Sequence, residues 1–152
     1  MTRTTARELA IQLSFAASSS GRSASELFDE FFSEDYFSTL AEENPLFCEF
    51  PDEKQLDYIK RLVSLEEANR SELEGYVERY AKGWKLERIS KTALAIMRCA
   101  ICEIIYMDDI PNAAAINEAV ELDKGYDEAE TVSFVNGVLG GFIRGELNKP
   151  EE

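Results

Sequence analysis

Residues 89–107 read Ile89-Ser90-Lys91-Thr92-Ala93-Leu94-Ala95-Ile96-Met97-Arg98-Cys99-Ala100-Ile101-Cys102-Glu103-Ile104-Ile105-Tyr106-Met107. Ile89, Ala93, Ile96, Met97, Ala100, Ile101, Ile104 and Ile105 recur at helical spacing, and small or apolar residues fill most of the other angles. A helix that is apolar over most of its circumference must be surrounded by other elements. This stretch is therefore read as the central helix of an all-α fold.

The neighbouring stretches supply its cover. Pro111 interrupts the chain, and Asn112 is expected to cap a further helix that stops at Gly125. Thr131 is expected to start the last helix, with Phe134, Val135, Val138, Leu139, Phe142 and Ile143 buried. Upstream, Thr2 or Thr5 can cap a first helix carrying Ala6, Leu9, Ala10, Leu13 and Ala17 on one face. Ser23-x-x-Glu26 is a capping box ahead of Leu27, Phe28, Phe31 and Phe32. Asp52 can cap a helix with Leu56, Ile59, Leu62 and Val63. Leu73, Tyr76, Val77 and Tyr80 mark another, ending near Gly83. Residues 33–51 are acidic and aromatic with two prolines, and read as an irregular loop or broken helix. About seven helices result, and no stretch alternates with period two for long enough to make a sheet.

Composition narrows the chemistry. The 152 residues suggest one domain, 1–152, with subdomains at roughly 1–68 and 69–146 and a disordered tail over 147–152. No apolar run reaches the length of a membrane span, and no signal pattern opens the chain, so the cytoplasm is expected. There is no histidine, which removes histidine-based nucleophile systems and imidazole metal sites. Cys99-x-x-Cys102 resembles half a zinc site, but the partner pair is missing and the spacing falls on one face of an apolar helix. Both are read as buried thiols. Glu118 and Glu121 have no Glu-x-x-His partner helix, which excludes a di-iron bundle. Gly137, Gly140, Gly141 and Gly145 follow no strand and form no phosphate loop; Gly137 is read as a close-packing position. No catalytic constellation, metal site or cofactor is expected.

The net charge of −14 argues against a general nucleic-acid binder. The charge is unevenly placed, however. Residues 26–57 hold eleven acids against Lys54 alone, whereas residues 79–98 hold six bases against Glu87 alone. The plain reading of the basic stretch is a solvated helix face. Asn117 and Asn136 are less easily explained. An amide buried unpaired inside a helix bundle costs about 1–3 kcal/mol. The favoured reading is structural, with both amides bonded to backbone and fixing one helix against another. The alternative is an amide edge that reaches a ligand.

Several ordered motifs carry a resemblance. They are Trp84-x-Leu86-x-Arg88-Ile89, Ala95-Ile96-Met97-Arg98-x-Ala100, Glu103, Asp109-Ile110-Pro111, Ile116-Asn117-Glu118-Ala119-Val120-Glu121-Leu122-x-Lys124 and Phe134-Val135-Asn136-Gly137-Val138-Leu139, with Ala6-Arg7-Glu8-x-Ala10-x-Gln12 at the start. In this order they resemble the transcription antitermination factor NusB family over nearly the whole chain, most weakly over residues 18–51. The resemblance implies two packed three-helix-type bundles and no enzymatic activity. It implies binding of boxA-type RNA with ribosomal protein S10 (NusE), joined to RNA polymerase and other Nus factors. Read-through of terminators in rRNA operons is the implied outcome. Self-association as a homodimer is left open.

Residue by residue, the resemblance places Arg3, Arg7 and Gln12 at an RNA-contacting N-terminus. It places Ser133 and Phe134 where the family has a basic residue and a stacking aromatic, and Phe15 near the S10 surface. An exposed ring at a helix N-terminus offers a stacking face to an unpaired base; the apolar pattern alone makes Phe134 core and Phe15 packing. The departures are Thr4 and Thr5 where consecutive arginines are common, Ser133 for lysine, and Glu128 and Glu130 beside the RNA site. Each lost phosphate contact weakens binding and its salt dependence. Weak RNA binding by the isolated protein, with strong reliance on S10, is therefore expected. Arg7→Ala is expected to weaken RNA binding with little effect on folding. Two other readings remain: a NusB-like domain of an rRNA cytosine methyltransferase, which needs a following cofactor domain, and a helical adaptor without RNA binding.

Overall fold

A computed structural model describes residues 1–44 and 47–147. The expected tail over 147–152 lies, apart from Leu147, outside the described residues. Every regular element among the described residues is helical. The chain divides into two compact units, Met1–Ala68 and Asn69–Glu152.

The first unit holds α1 (Arg3–Ser20), α2 (Ala24–Phe31), α3 (Glu34–Glu43) and α4 (Glu53–Ala68). Thr2 caps α1, its hydroxyl accepting the Thr5 N–H at 3.1 Å. Gly21, at φ 76°, closes the same helix in the left-handed conformation that glycine adopts without strain. Ser23 caps α2 by accepting the Glu26 N–H. Asp52 and Gln55 bond reciprocally ahead of α4: the Gln55 N–H reaches Asp52 Oδ1 at 2.8 Å, and the Asp52 N–H reaches Gln55 Oε1 at 3.0 Å. α1 lies along α4, and α2 packs on both. Ala6, Leu9, Ala10 and Leu13 are buried on α1, as are Ile59, Leu62 and Val63 on α4.

The stretch over 33–51 is more ordered than its composition suggests. Ser33 caps α3, and Glu34 and Asp35 sit in its first turn, where acids favour the helix N-terminus. Phe37 is buried and packs edge-on against Phe47 at 6.1 Å and Phe50 at 5.1 Å.

The second unit holds α5 (Arg70–Tyr80), a 3-10 turn (Leu86–Arg88), α6 (Lys91–Tyr106), α7 (Asn112–Asp123), α8 (Ala129–Phe142) and a π turn (Ile143–Leu147). α6 is the central helix: α5, α7 and α8 all pack on it. Eleven of its sixteen residues are buried, including Cys99 and Cys102, neither of which is in a disulfide. Ser90 Oγ starts it, accepting the Ala93 N–H at 3.0 Å. Arg98 is buried within it and pairs with Glu74 at 3.3 Å. Two expected boundaries shift. Pro111, extended at ψ 139°, leads into α7, so Asn112 is its first residue and makes no cap. α8 starts at Ala129, two residues before Thr131.

The glycines of the last helix divide by what they face. Gly137 is exposed and a Cβ there would meet nothing within 4 Å, so it is not the close-packing position expected. Gly141 and Gly145 are. A Cβ on Gly141 would stand 3.3 Å from Tyr80 Cδ1, and one on Gly145 would collide with the Tyr80 ring. That ring cannot easily retreat, because its hydroxyl donates to Glu146 Oε2 at 2.5 Å and its edge meets Phe142. Gly145→Ala is accordingly expected to lower stability by about 1–3 kcal/mol through overpacking. Gly137→Ala, in an exposed helix interior, is expected to raise it by up to about 1 kcal/mol. Denaturant unfolding of the two variants checks the opposite signs.

Candidate nucleic-acid interface

Helical phase decides which side chains of α7 and α8 are free to act. On α7 the buried residues are Ala115, Ala119, Leu122 and Asp123. At 100° per residue this leaves Asn117, Glu121 and Lys124 on the opposite face. On α8 the buried residues are Val135, Val138, Leu139 and Phe142, which leaves Ser133, Asn136 and Gly137 outward. Asn117 and Asn136 are both exposed. The structural reading of the two amides is therefore corrected: they do not sit in the core. Both line a groove of about 610 Å³ between α7 and α8, with Val120, Lys124, Val132 and Ser133. An amide offers two donors and an acceptor, and Glu121 and Asp127 also line the groove, so its lining holds two carboxylates against the one cation of Lys124. Lys124 also holds Glu121 at 2.6 Å.

On the other side of α8 lies a second groove, of about 560 Å³. Tyr80, Lys82, Phe134, Gly137, Gly141 and Arg144 are among the residues lining it. Phe134 is half-buried rather than core. Its ring meets Trp84 at 5.0 Å and 40°, and Trp84 itself is 42% exposed. Only half of the basic stretch lies on the long helices, Arg79 on α5 and Lys91 and Arg98 on α6, while Lys82, Lys85 and Arg88 are exposed in the connection between α5 and α6. They form no ion pair among the described residues, whereas Arg79 is held by Glu146 at 2.7 Å. Trp84 was legible as part of a motif, but its exposure was not.

The α7–α8 turn hides a buried acid. Asp123 is fully buried, and neither carboxyl oxygen has a hydrogen-bond partner among the described residues. Burial first, and the neighbouring Asp127 second, push its pKa up to about 7. Asp127 in turn accepts from the Ser90 hydroxyl at 3.3 Å, which ties this turn to the start of α6.

In the first unit, Arg3 and Arg7 come together over one ring. Their guanidinium carbons stand 5.2 and 5.8 Å from the Tyr58 centroid. Arg3 is exposed, but Arg7 is only 4% exposed. The expectation that Arg7 could be truncated without cost to folding is thereby corrected, since its stem and charge are packed inside. Gln12 and Phe15 are both half-buried on α1. No helix among the described residues is long and apolar enough to cross a membrane.

Comparison with known proteins bears on this surface. The model of the NusB family matches residues 4–144. The transcription antitermination protein NusB of Alkaliphilus oremlandii is 38% identical over 146 residues, 96% of each chain. That of Acetivibrio thermocellus is 48% identical over 95 residues, 62% of this chain and 66% of the other. Among solved structures, Thermotoga maritima NusB superposes with a TM-score of 0.77 at 23% identity, covering 95% of this chain and 92% of that one. This last likeness shows the shared fold.

Two measurements test the geometry. Because Asp123 holds its proton more tightly folded than unfolded, its contribution is fully present below about pH 4. It is lost as pH rises through about 7. Asp123→Asn should then raise Tm more at pH 8 than at pH 5; an equal change at both would contradict the buried acid. Arg7→Ala should cost on the order of 2 kcal/mol, while Arg3→Ala leaves the melting curve nearly unchanged.

Proposed function

Because the chain belongs to the NusB family of transcription antitermination factors, which are not enzymes, we propose that it binds boxA-type RNA together with ribosomal protein S10 (NusE). The pair then helps RNA polymerase, with other Nus factors, read through terminators in rRNA operons in the cytoplasm. The observation that carries this reading is the N-terminal half of α8. There a half-buried Phe134 lines a groove edged with cations, while two exposed amides line a second groove on the other side of α8. Sequence-specific RNA proteins take unpaired bases this way, stacking them on an aromatic ring and bonding their edges to amides.

In this reading Phe134 stacks a base while Ser133, Asn117 and Asn136 bond base edges or the sugar-phosphate backbone. Arg3 supplies a phosphate contact from the first unit. Arg7, being buried, supports it by ordering Tyr58, and Gln12 is a further polar contact on α1. Phe15 belongs to the S10-facing surface. With 30 acidic residues against 16 basic ones, the protein's own field opposes an RNA chain. The free protein therefore binds RNA weakly, and S10 supplies the remaining positive surface.

The same acidity favours one alternative, a helical adaptor that has lost RNA contact. Titration of labelled boxA RNA, beside a scrambled RNA of equal length, separates the two. Selective binding that strengthens at least tenfold with S10 is the expected result. No binding with S10 present would leave the adaptor reading.

A further inference from the structure

The aromatic pair beside the second groove has a free partner. Trp84 and Phe134 are already in contact at 5.0 Å, so no base can enter between them. One side of the indole is taken by Phe134, yet Trp84 remains 42% exposed, so its outward surface is open. What sets Trp84 apart from the other exposed aromatics is the charge around it. Lys85 is the adjacent residue, Lys82 and Arg88 lie within four positions, and all three are exposed and without ion pairs among the described residues. Across residues 79–91 there are five bases against one acid, Glu87, in a protein whose overall charge is −14. Arg79 is occupied by Glu146, and Arg144 lines the groove that Phe134 and Lys82 share.

We propose that Trp84 is a second base-stacking face, continuing the one at Phe134, and that Lys82, Lys85 and Arg88 hold the phosphates of the nucleotides it carries. The occupant is single-stranded RNA. Positive charge concentrated around an open indole on an otherwise acidic molecule suits an anionic chain of aromatic rings, and a duplex would keep its bases out of reach. This extends the RNA surface from the α7–α8 groove, around α8, to the connection before α6. It rests on the RNA-binding reading above and adds to it the identity of a second stacking residue and its phosphate clamp.

Trp84 is the single tryptophan of the chain, so its fluorescence reports on this face alone. The free protein is titrated with fluorescein-labelled boxA RNA at low salt, where electrostatic contacts are strongest, and binding is followed by RNA anisotropy. A parallel titration with unlabelled RNA follows tryptophan emission. The expected result is that tryptophan emission is quenched along the same isotherm. Trp84→Ala should weaken binding about tenfold, the size of one lost stack, while Trp84→Phe keeps most of the affinity. Lys82→Gln with Lys85→Gln should weaken binding and flatten its salt dependence without moving Tm. If the anisotropy saturates while tryptophan emission and the affinity of the lysine variant stay unchanged, Trp84 is only a cover for Phe134 and the inference fails, though RNA binding stands. Absence of RNA binding at low salt, alone and with S10, removes both.

Discussion

A helix that is apolar round most of its circumference leaves its neighbours little choice. α6 must be covered on every side, and α5, α7 and α8 do this by turning their own apolar stripes inward. At about 0.8 kcal/mol for each buried methylene, this packing outweighs any single polar contact in the unit. It also dictates where polar groups go. Once Ala115, Ala119 and Leu122 face α6, Asn117 must face out. Once Val135, Val138 and Leu139 face in, Ser133 and Asn136 must face out. The amide-lined groove is thus a consequence of the core, and its rigidity is that of two helices anchored along their buried sides.

The same logic explains how a strongly acidic protein can carry the locally basic surface that the proposed function needs. Electrostatic attraction depends on local potential, which salt screens beyond about 8–10 Å. The acids are concentrated over residues 26–57, in the first unit, while the bases of residues 79–91 gather beside Trp84 and Phe134 in the second. Segregation of charge along the chain lets both coexist. It also limits the number of phosphates the protein could engage by itself, in keeping with the reliance on S10 proposed above.

Much of this was legible in the sequence. The central helix, the Thr2, Ser23 and Asp52 caps and four of the six expected inward residues of the last helix, Val135, Val138, Leu139 and Phe142, follow from spacing and capping chemistry, whereas Phe134 and Ile143 are only half-buried. The two asparagines were misread because their neighbours in sequence are apolar, whereas the angle around the helix is what sets burial. Ser33-Glu34-Asp35 was a helix start hidden within an acidic, aromatic stretch whose composition suggested a loop. Arg7 and Asp123 were legible only in three dimensions. Burial of a charged or ionisable group depends on what folds over it, and neither residue differs in type from an ordinary surface one. The Trp84–Phe134 contact joins residues fifty positions apart, which no local pattern encodes.

The central claim is that the outward face of α8 and its flanks meet RNA while the acidic stretch does not. Ultraviolet cross-linking of boxA RNA to the complex with S10, followed by mapping of the cross-linked peptides, tests it most directly. Cross-links at Phe134 and Trp84, with none over residues 26–57, are predicted. Cross-links confined to the first unit, with the α8 peptides unmodified, would contradict the account.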